Sequence, residues 1–179
     1  MYRIESIFHH QGYKCVVIFT DIGHRCGYVA VGPDHPLFGI DYSQDLKSKE
    51  LLQEVSHSTL GKRGIIDVFC WNGEETILSL IVNVHGGLTY SSNKPTGKYP
   101  TLHINEEWYF GFDCAHYEDG KDFNLVKKYF SIEIAECLRS YWNTGYPRSL
   151  EYVQNECRSL AEQLECIKDI LLETRGQLA

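Results

Sequence analysis

No two cysteines in this 179-residue chain sit two or three residues apart, so its seven cysteines outline neither a zinc module nor a dithiol redox motif. The glycine-rich dinucleotide fingerprint and the phosphate loop are both missing as well. Met1 to His10 holds no apolar stretch ahead of a small-residue cleavage site. The longest apolar-rich run, Ile77 to Val84, is too short for a bilayer and carries Ser79 and Asn83. Basic side chains are in deficit, 17 against 24 acidic, giving a net charge of -7 and a pI near 5.6. That field excludes a non-specific binder of long nucleic acid or of anionic membrane. These absences lead us to expect a reduced cytoplasmic protein with mostly buried thiols.

What remains is ordinary in bulk and uneven in detail. An apolar fraction of 43% with 23% charged residues is that of a globular chain long enough to bury a core. Tyr13 to Thr20 is β-branched and aromatic, and Cys26 to Val31 resumes after Asp21 and Gly23 as the partner of a hairpin. Gly32, Pro33, Asp34 and Pro36 open a long loop, and Leu46 to Val55 has the spacing of a short helix. Strands are expected at Ile65 to Trp71, Glu75 to Val84 and Trp108 to Asp113, and one helix from Phe123 to Trp142. The fold class is therefore α+β, a mainly antiparallel sheet with flanking helices over residues 1–146.

Residues 147–179 are expected to form a long heptad-patterned helix. Leu150, Val153, Cys157, Leu160, Leu164, Ile167 and Leu171 alternate spacings of three and four, and Glu156, Arg158, Glu162, Glu165 and Lys168 flank them as a solvated face would. The seam either packs on its own domain or joins copies into a homo-oligomer through residues 150–171.

Two segments place polar residues where strand propensity alone would not. In Val84-His85-Gly86-Gly87-Leu88-Thr89-Tyr90, a histidine ends an apolar run and two glycines leave backbone N–H groups open to an oxyanion. The bland alternative is a Gly-Gly turn with a structural His85. In Trp108-Tyr109-Phe110-Gly111-Phe112-Asp113-Cys114-Ala115-His116, a carboxylate and an imidazole end an aromatic strand. Asp113 and His116 fit a general base with its orienting carboxylate, or two ligands of a divalent metal. His103 is placed to join them from a neighbouring strand. Cys114 is a nucleophile only if a neighbour lowers its pKa, and otherwise a core thiol. Arg25 has the planar fork that suits a phosphate, and His35 and Asp41 suit hydrogen bonds that fix their loop.

In this order the segments resemble a family of small proteins encoded by tailed bacteriophages. The likeness lies in Arg25-Cys26-Gly27-Tyr28-Val29, His35-Pro36-Leu37 with Gly39 and Asp41-Tyr42, HGGLTY at 85–90, FGFDCAH at 110–116, and a closing helix rich in leucine, glutamate and glutamine. It covers roughly residues 23–42, 84–117 and 145–170, and the chain departs from the pattern by an insertion over Asp45 to Leu80. The resemblance implies an infected-cell setting and leaves the reaction open.

Three functions fit these features. One is a counter-defence hydrolase acting on the phosphoester of a small nucleotide or cyclic-nucleotide signal. His85, Asp113, His116 and His103 would react, Gly86, Gly87, Thr89 and Arg25 would hold phosphate, and Tyr90, Trp108 or Tyr109 would stack on a base. The second is an oligomeric sponge that sequesters the same signal unchanged. The third is an inhibitor that meets a basic partner protein through its acidic surface. A divalent metal is compatible with the first, although the ligand spacing is not diagnostic.

Overall fold

A computed structural model describes residues 1–48, 51, 76–94, 106–139 and 145–177, with side chains up to Glu173. Five strands, β1 (Tyr2–His10), β2 (Tyr13–Thr20), β3 (Arg25–Val31), β4 (Tyr90–Ser92) and β5 (Trp108–Asp113), form one antiparallel sheet in the order β1-β2-β3-β5-β4. The helices are α1 (Leu78–Ile81), α2 (Phe123–Tyr129), α3 (Ile132–Arg139) and α4 (Leu150–Gln177). The class is α+β.

β2 and β3 are buried on both faces, which is why their sequences run almost without polar interruption. On one face Cys15, Val17, Val29, Val31, Phe110 and Phe112 meet Val153, Cys157, Leu160, Ala161, Leu164 and Ile167 of α4. The heptad seam is thus spent inside the chain, and even its ends, Leu150 and Leu171, pack against this core. The sheet offers a broad apolar face, and burying the seam there removes it from water at no cost in partner entropy. Residues 150–171 accordingly share the core of the sheet, and the Ser149 hydroxyl caps α4 by accepting the Tyr152 N–H at 3.1 Å. Among the described residues, no helix is long and apolar enough to cross a membrane.

Several local expectations change. Met1 to His10 carries β1, an edge strand joined to β2 by a tight turn at Gln11 and Gly12, both with positive φ. Part of the strand expected over Glu75 to Val84 is the helical turn α1. The single helix expected from Phe123 is two: α2 ends at Phe130, and Ser131 starts α3 by accepting the Ile134 N–H at 3.2 Å. The strand at Ile65 to Trp71 and most of the helix at Leu46 to Val55 fall outside the described residues, as do His103 and Trp142.

Close approach of α4 depends on Gly27. A Cβ there would lie 2.5 Å from the Phe112 ring and 2.7 Å from Cys157 Sγ, both of them buried. His35 fixes the long loop from inside: its Nδ1 accepts the Leu37 N–H at 3.1 Å, and Nε2 lies 3.2 Å from the Leu164 carbonyl. Burial lowers the His35 pKa, outweighing the opposite pull of that carbonyl.

Gly27→Ala is expected to cost about 1–3 kcal/mol through overpacking, read as a lower urea midpoint with an unchanged slope. Because the His35 pKa is depressed in the folded chain, below roughly pH 6.5 the unfolded chain takes up the proton first. Stability should therefore fall as pH is lowered from 7.5 to 5.5, and His35→Gln should flatten that dependence in urea titrations at each pH.

Candidate functional site

Pairing of β4 with β5 brings the two unusual segments side by side. Thr89 donates its N–H to the Gly111 carbonyl at 3.0 Å and its hydroxyl to Asp113 Oδ2 at 3.0 Å. The glycine turn before β4 and the turn after β5 then meet, with the His85 and His116 ring centroids 5.3 Å apart.

The carboxylate that joins them is Asp119. Its Oδ2 lies 2.7 Å from His85 Nε2 and 3.3 Å from His116 Nδ1, and accepts the His116 backbone N–H at 3.0 Å. Its Oδ1 accepts from Arg148 Nε at 2.6 Å. The Asp119 side chain is only 1% exposed, whereas His116 is 38% exposed and Arg148 half-buried. Burial by itself would raise the Asp119 pKa. The hydrogen bonds from His85, Arg148 and the His116 N–H outweigh it and hold the group at about 2.

α4 supplies the other half of the site. Tyr152 Oη lies 3.0 Å from His85 Nδ1, and Glu156 accepts the His85 backbone N–H at 2.8 Å. One heptad further on, the Gln163 amide accepts the Asn83 N–H at 2.7 Å and donates to the Asn83 carbonyl at 3.0 Å. Glu156 is 6% exposed, so it belongs to this inward polar stripe and not to a solvated face. Both ring nitrogens of His85 are engaged within the protein, while His116 Nδ1 faces Asp119.

The glycines act differently from the expectation. The Gly87 N–H donates to the Val84 carbonyl at 3.0 Å and closes the turn, so it is not held open for an oxyanion. Gly86 has φ +67, and a Cβ on it would fall inside the His116 imidazole. Only glycine combines that backbone angle with a bare surface for the ring.

Other expected site residues lie elsewhere. Asp113 accepts from Thr89 and from the Ala115 N–H at 3.1 Å, and the carboxylate bonded to His116 is Asp119 instead. Arg25 is buried and fully used: Nε and Nη2 grip Glu5 at 2.6 and 3.1 Å, and Nη1 donates to the Arg148 carbonyl at 2.6 Å. Its fork braces the segment bearing Arg148 and is closed to a ligand. Trp108 is half-buried against the core and donates to the Ile40 carbonyl at 2.8 Å, and Tyr109 is buried with its hydroxyl on Glu107 at 2.5 Å, so both rings are packed within the sheet core. Tyr90 packs edge-on against Tyr28 and bonds the Lys94 carbonyl. Burial pushes the Cys114 thiol well up, which makes it a core thiol and no nucleophile at neutral pH.

Of two open cavities in this region, the first is lined by a member of the cluster, Arg148, and the second is not. One of about 370 Å³ is lined by Tyr117, Glu118, Gly145, Tyr146 and Arg148. The other, of about 380 Å³, is lined by residues that include His24, Tyr28, Thr89, Tyr90 and Asp113. Tyr117 and Tyr146 are 89% and 84% exposed beside the first, whereas every other Phe, Trp or Tyr side chain among the described residues is at least partly buried.

Chemically, the arrangement is a buried anion that orients two imidazoles and one guanidinium at the edge of solvent. It can hold a proton at His116, present a positive charge from Arg148, or gather nitrogen and oxygen ligands. Among the described residues, ligand atoms of His85, His116 and Asp119 lie within 4.8 Å of one another. Gly86→Ala is expected to shift the His116 imidazole resonances in NMR spectra and to cost about 1–3 kcal/mol of stability, because it strains the turn and displaces the ring. The chain matches no family model, and no curated protein or solved structure is significantly similar to it.

Proposed function

We propose that the protein hydrolyses the phosphoester of a small nucleotide or cyclic-nucleotide signal, a counter-defence role in the infected-cell setting that its resemblance implies. The observation that carries this reading is the convergence of His85, His116 and Arg148 on one buried carboxylate, Asp119, beside an open cavity.

Phosphoryl transfer needs positioning and charge stabilisation more than an elaborate nucleophile. A water at the His116 edge of the cluster attacks phosphorus as its proton passes to the cluster. The P–O ester bond breaks, and the leaving oxygen takes a proton from solvent. Asp119 holds the imidazoles, and Arg148, which also lines the cavity, faces the phosphoryl oxygens. Among the described residues, Tyr117 and Tyr146 are the exposed rings available to a base, in place of the half-buried Trp108 and the buried Tyr109. Self-association through residues 150–171 is no part of the proposal, because that seam is covered within the chain.

Incubation with a panel of linear and cyclic nucleotides, followed by denaturation and chromatography of the small molecules, tests it. The expected result is loss of input with a hydrolysed product, reduced about 100-fold or more in His116→Ala. Intact release of a retained nucleotide would mean sequestration, and a His116→Ala variant with full turnover would overturn the site assignment.

A further inference from the structure

We infer that His85, Asp119 and His116 bind one divalent first-row transition-metal ion, through Nε2 of His85, Oδ2 of Asp119 and Nδ1 of His116. The inference rests on the geometry of the cluster and goes beyond the phosphoester reading, since an ion can be held whether or not a nucleotide is the substrate.

Distances come first. Ligand atoms about 2.1 Å from one ion stand roughly 3.0–3.4 Å apart when their bonds open between a right angle and the tetrahedral angle. His116 Nδ1 is 3.3 Å from Asp119 Oδ2, and His85 Nε2 is 2.7 Å from the same oxygen. The first separation already suits a shared ion, and the second needs to open by a few tenths of an ångström. The two imidazole nitrogens, within 4.8 Å of each other, need to come to roughly 3.4 Å, a movement open to the partly exposed His116 ring.

Support behind the ligands points the same way. Metal-bound imidazoles characteristically donate their other N–H to a fixed partner, which sets the tautomer. Tyr152 Oη lies 3.0 Å from His85 Nδ1, the nitrogen an ion on Nε2 would leave protonated. Arg148 occupies Asp119 Oδ1, and Oδ2, which also accepts the His116 backbone N–H, is the oxygen that faces both imidazoles. Glu156 fixes the His85 backbone, and Gly86 supplies the flat surface on which His116 rests. Two imidazoles and one carboxylate, with further positions left for water, suit zinc, iron(II) or manganese better than calcium or magnesium.

Local charge is also favourable. Asp119 and Glu156 bring two carboxylates to the site against the single guanidinium of Arg148, inside a chain of net charge -7. An ion would also alter the hydrolytic step without changing the bonds made and broken. Its bound water would lose a proton to solvent near pH 7, and His116 would serve as ligand instead of proton acceptor.

The test uses the full chain, stripped with a chelator and titrated with Mn²⁺, Zn²⁺ or Co²⁺ alone. Mn²⁺ avoids the exposed thiols of Cys137 and Cys166, which are soft enough to take zinc. One ion per chain is expected, with a rise in melting temperature and, for Co²⁺, visible ligand-field bands. Affinity should fall about 100-fold or more in His116→Ala and in Asp119→Asn, and stay unchanged in a His9→Ala, His10→Ala control. His116 is partly exposed, so its variant keeps the test decisive if Asp119→Asn does not fold. No uptake, or uptake equal in His116→Ala, overturns the inference. Hydrolysis by a chain that takes up no ion would overturn it too, while leaving the phosphoester reading in place.

Discussion

The organisation of this protein turns on one buried carboxylate. Asp119 is nearly sealed from water, and an uncompensated charge there would cost several kcal/mol. It is compensated by groups from three separate parts of the chain: the turn before β4, its own turn after β5, and the segment entering α4. Each donor is in turn held by something else. Tyr152 and Glu156 hold His85, Gly86 seats His116, and Arg25 with Glu5 holds the carbonyl of Arg148. Removing one partner of such a buried set typically costs about 3–5 kcal/mol, because the others are left unpaired. Folding and site formation are therefore coupled here.

α4 makes that coupling possible by serving two surfaces at once. Its apolar seam, Val153 to Ile167, closes the sheet core, and an adjacent stripe reaches the turn before β4, Gln163 and Glu156 at the backbone of Asn83 and His85 and Tyr152 at the His85 ring. Tyr152 and Glu156 are four residues apart and Gln163 seven further, so they share one side of the helix. A seam buried on a sheet leaves both its flanks near protein, which is why charged positions beside it are not all solvated. The same burial takes the apolar seam itself out of reach of another copy of the chain.

The elements visible in the sequence were those decided locally. β2, β3 and β5 are apolar on both faces and end at turn residues, so their limits follow almost to the residue. β1 is an edge strand with alternating exposure and no strong turn signal after it, and it escapes a reading of composition. The break between α2 and α3 depends on the Ser131 hydroxyl competing for backbone, a small effect beside an unbroken apolar period. The site follows the same division. His85 and His116 stood out because polar groups ended apolar runs, but Asp113 appeared to be their carboxylate because it is also at a strand end. The signal for Asp119 was its position three residues after His116, which lets one turn hold both side chains. Arg148 and Glu156 carried no local mark, since their role exists only once α4 lies against the sheet.

Electrostatics sets the remaining constraint on what the site can do. A phosphoester brings negative charge toward a chain of net charge -7, although at physiological salt the distant part of that field fades within about 8 Å. What matters is then the charge at contact. Arg148 is the cation that both touches the cluster and lines a cavity, yet Asp119 already takes its Nε at 2.6 Å. Arg25, the other candidate fork, is consumed by Glu5 and a carbonyl. A guanidinium shared with a carboxylate offers a ligand mainly directional N–H groups and little net charge. Stabilising the charge that builds on phosphoryl oxygens therefore calls for a further positive group at the cluster, either a protonated His116 or a cation held by the same three side chains. Both depend on Asp119 remaining ionised, which the hydrogen bonds from His85, Arg148 and the His116 backbone N–H secure well below neutral pH.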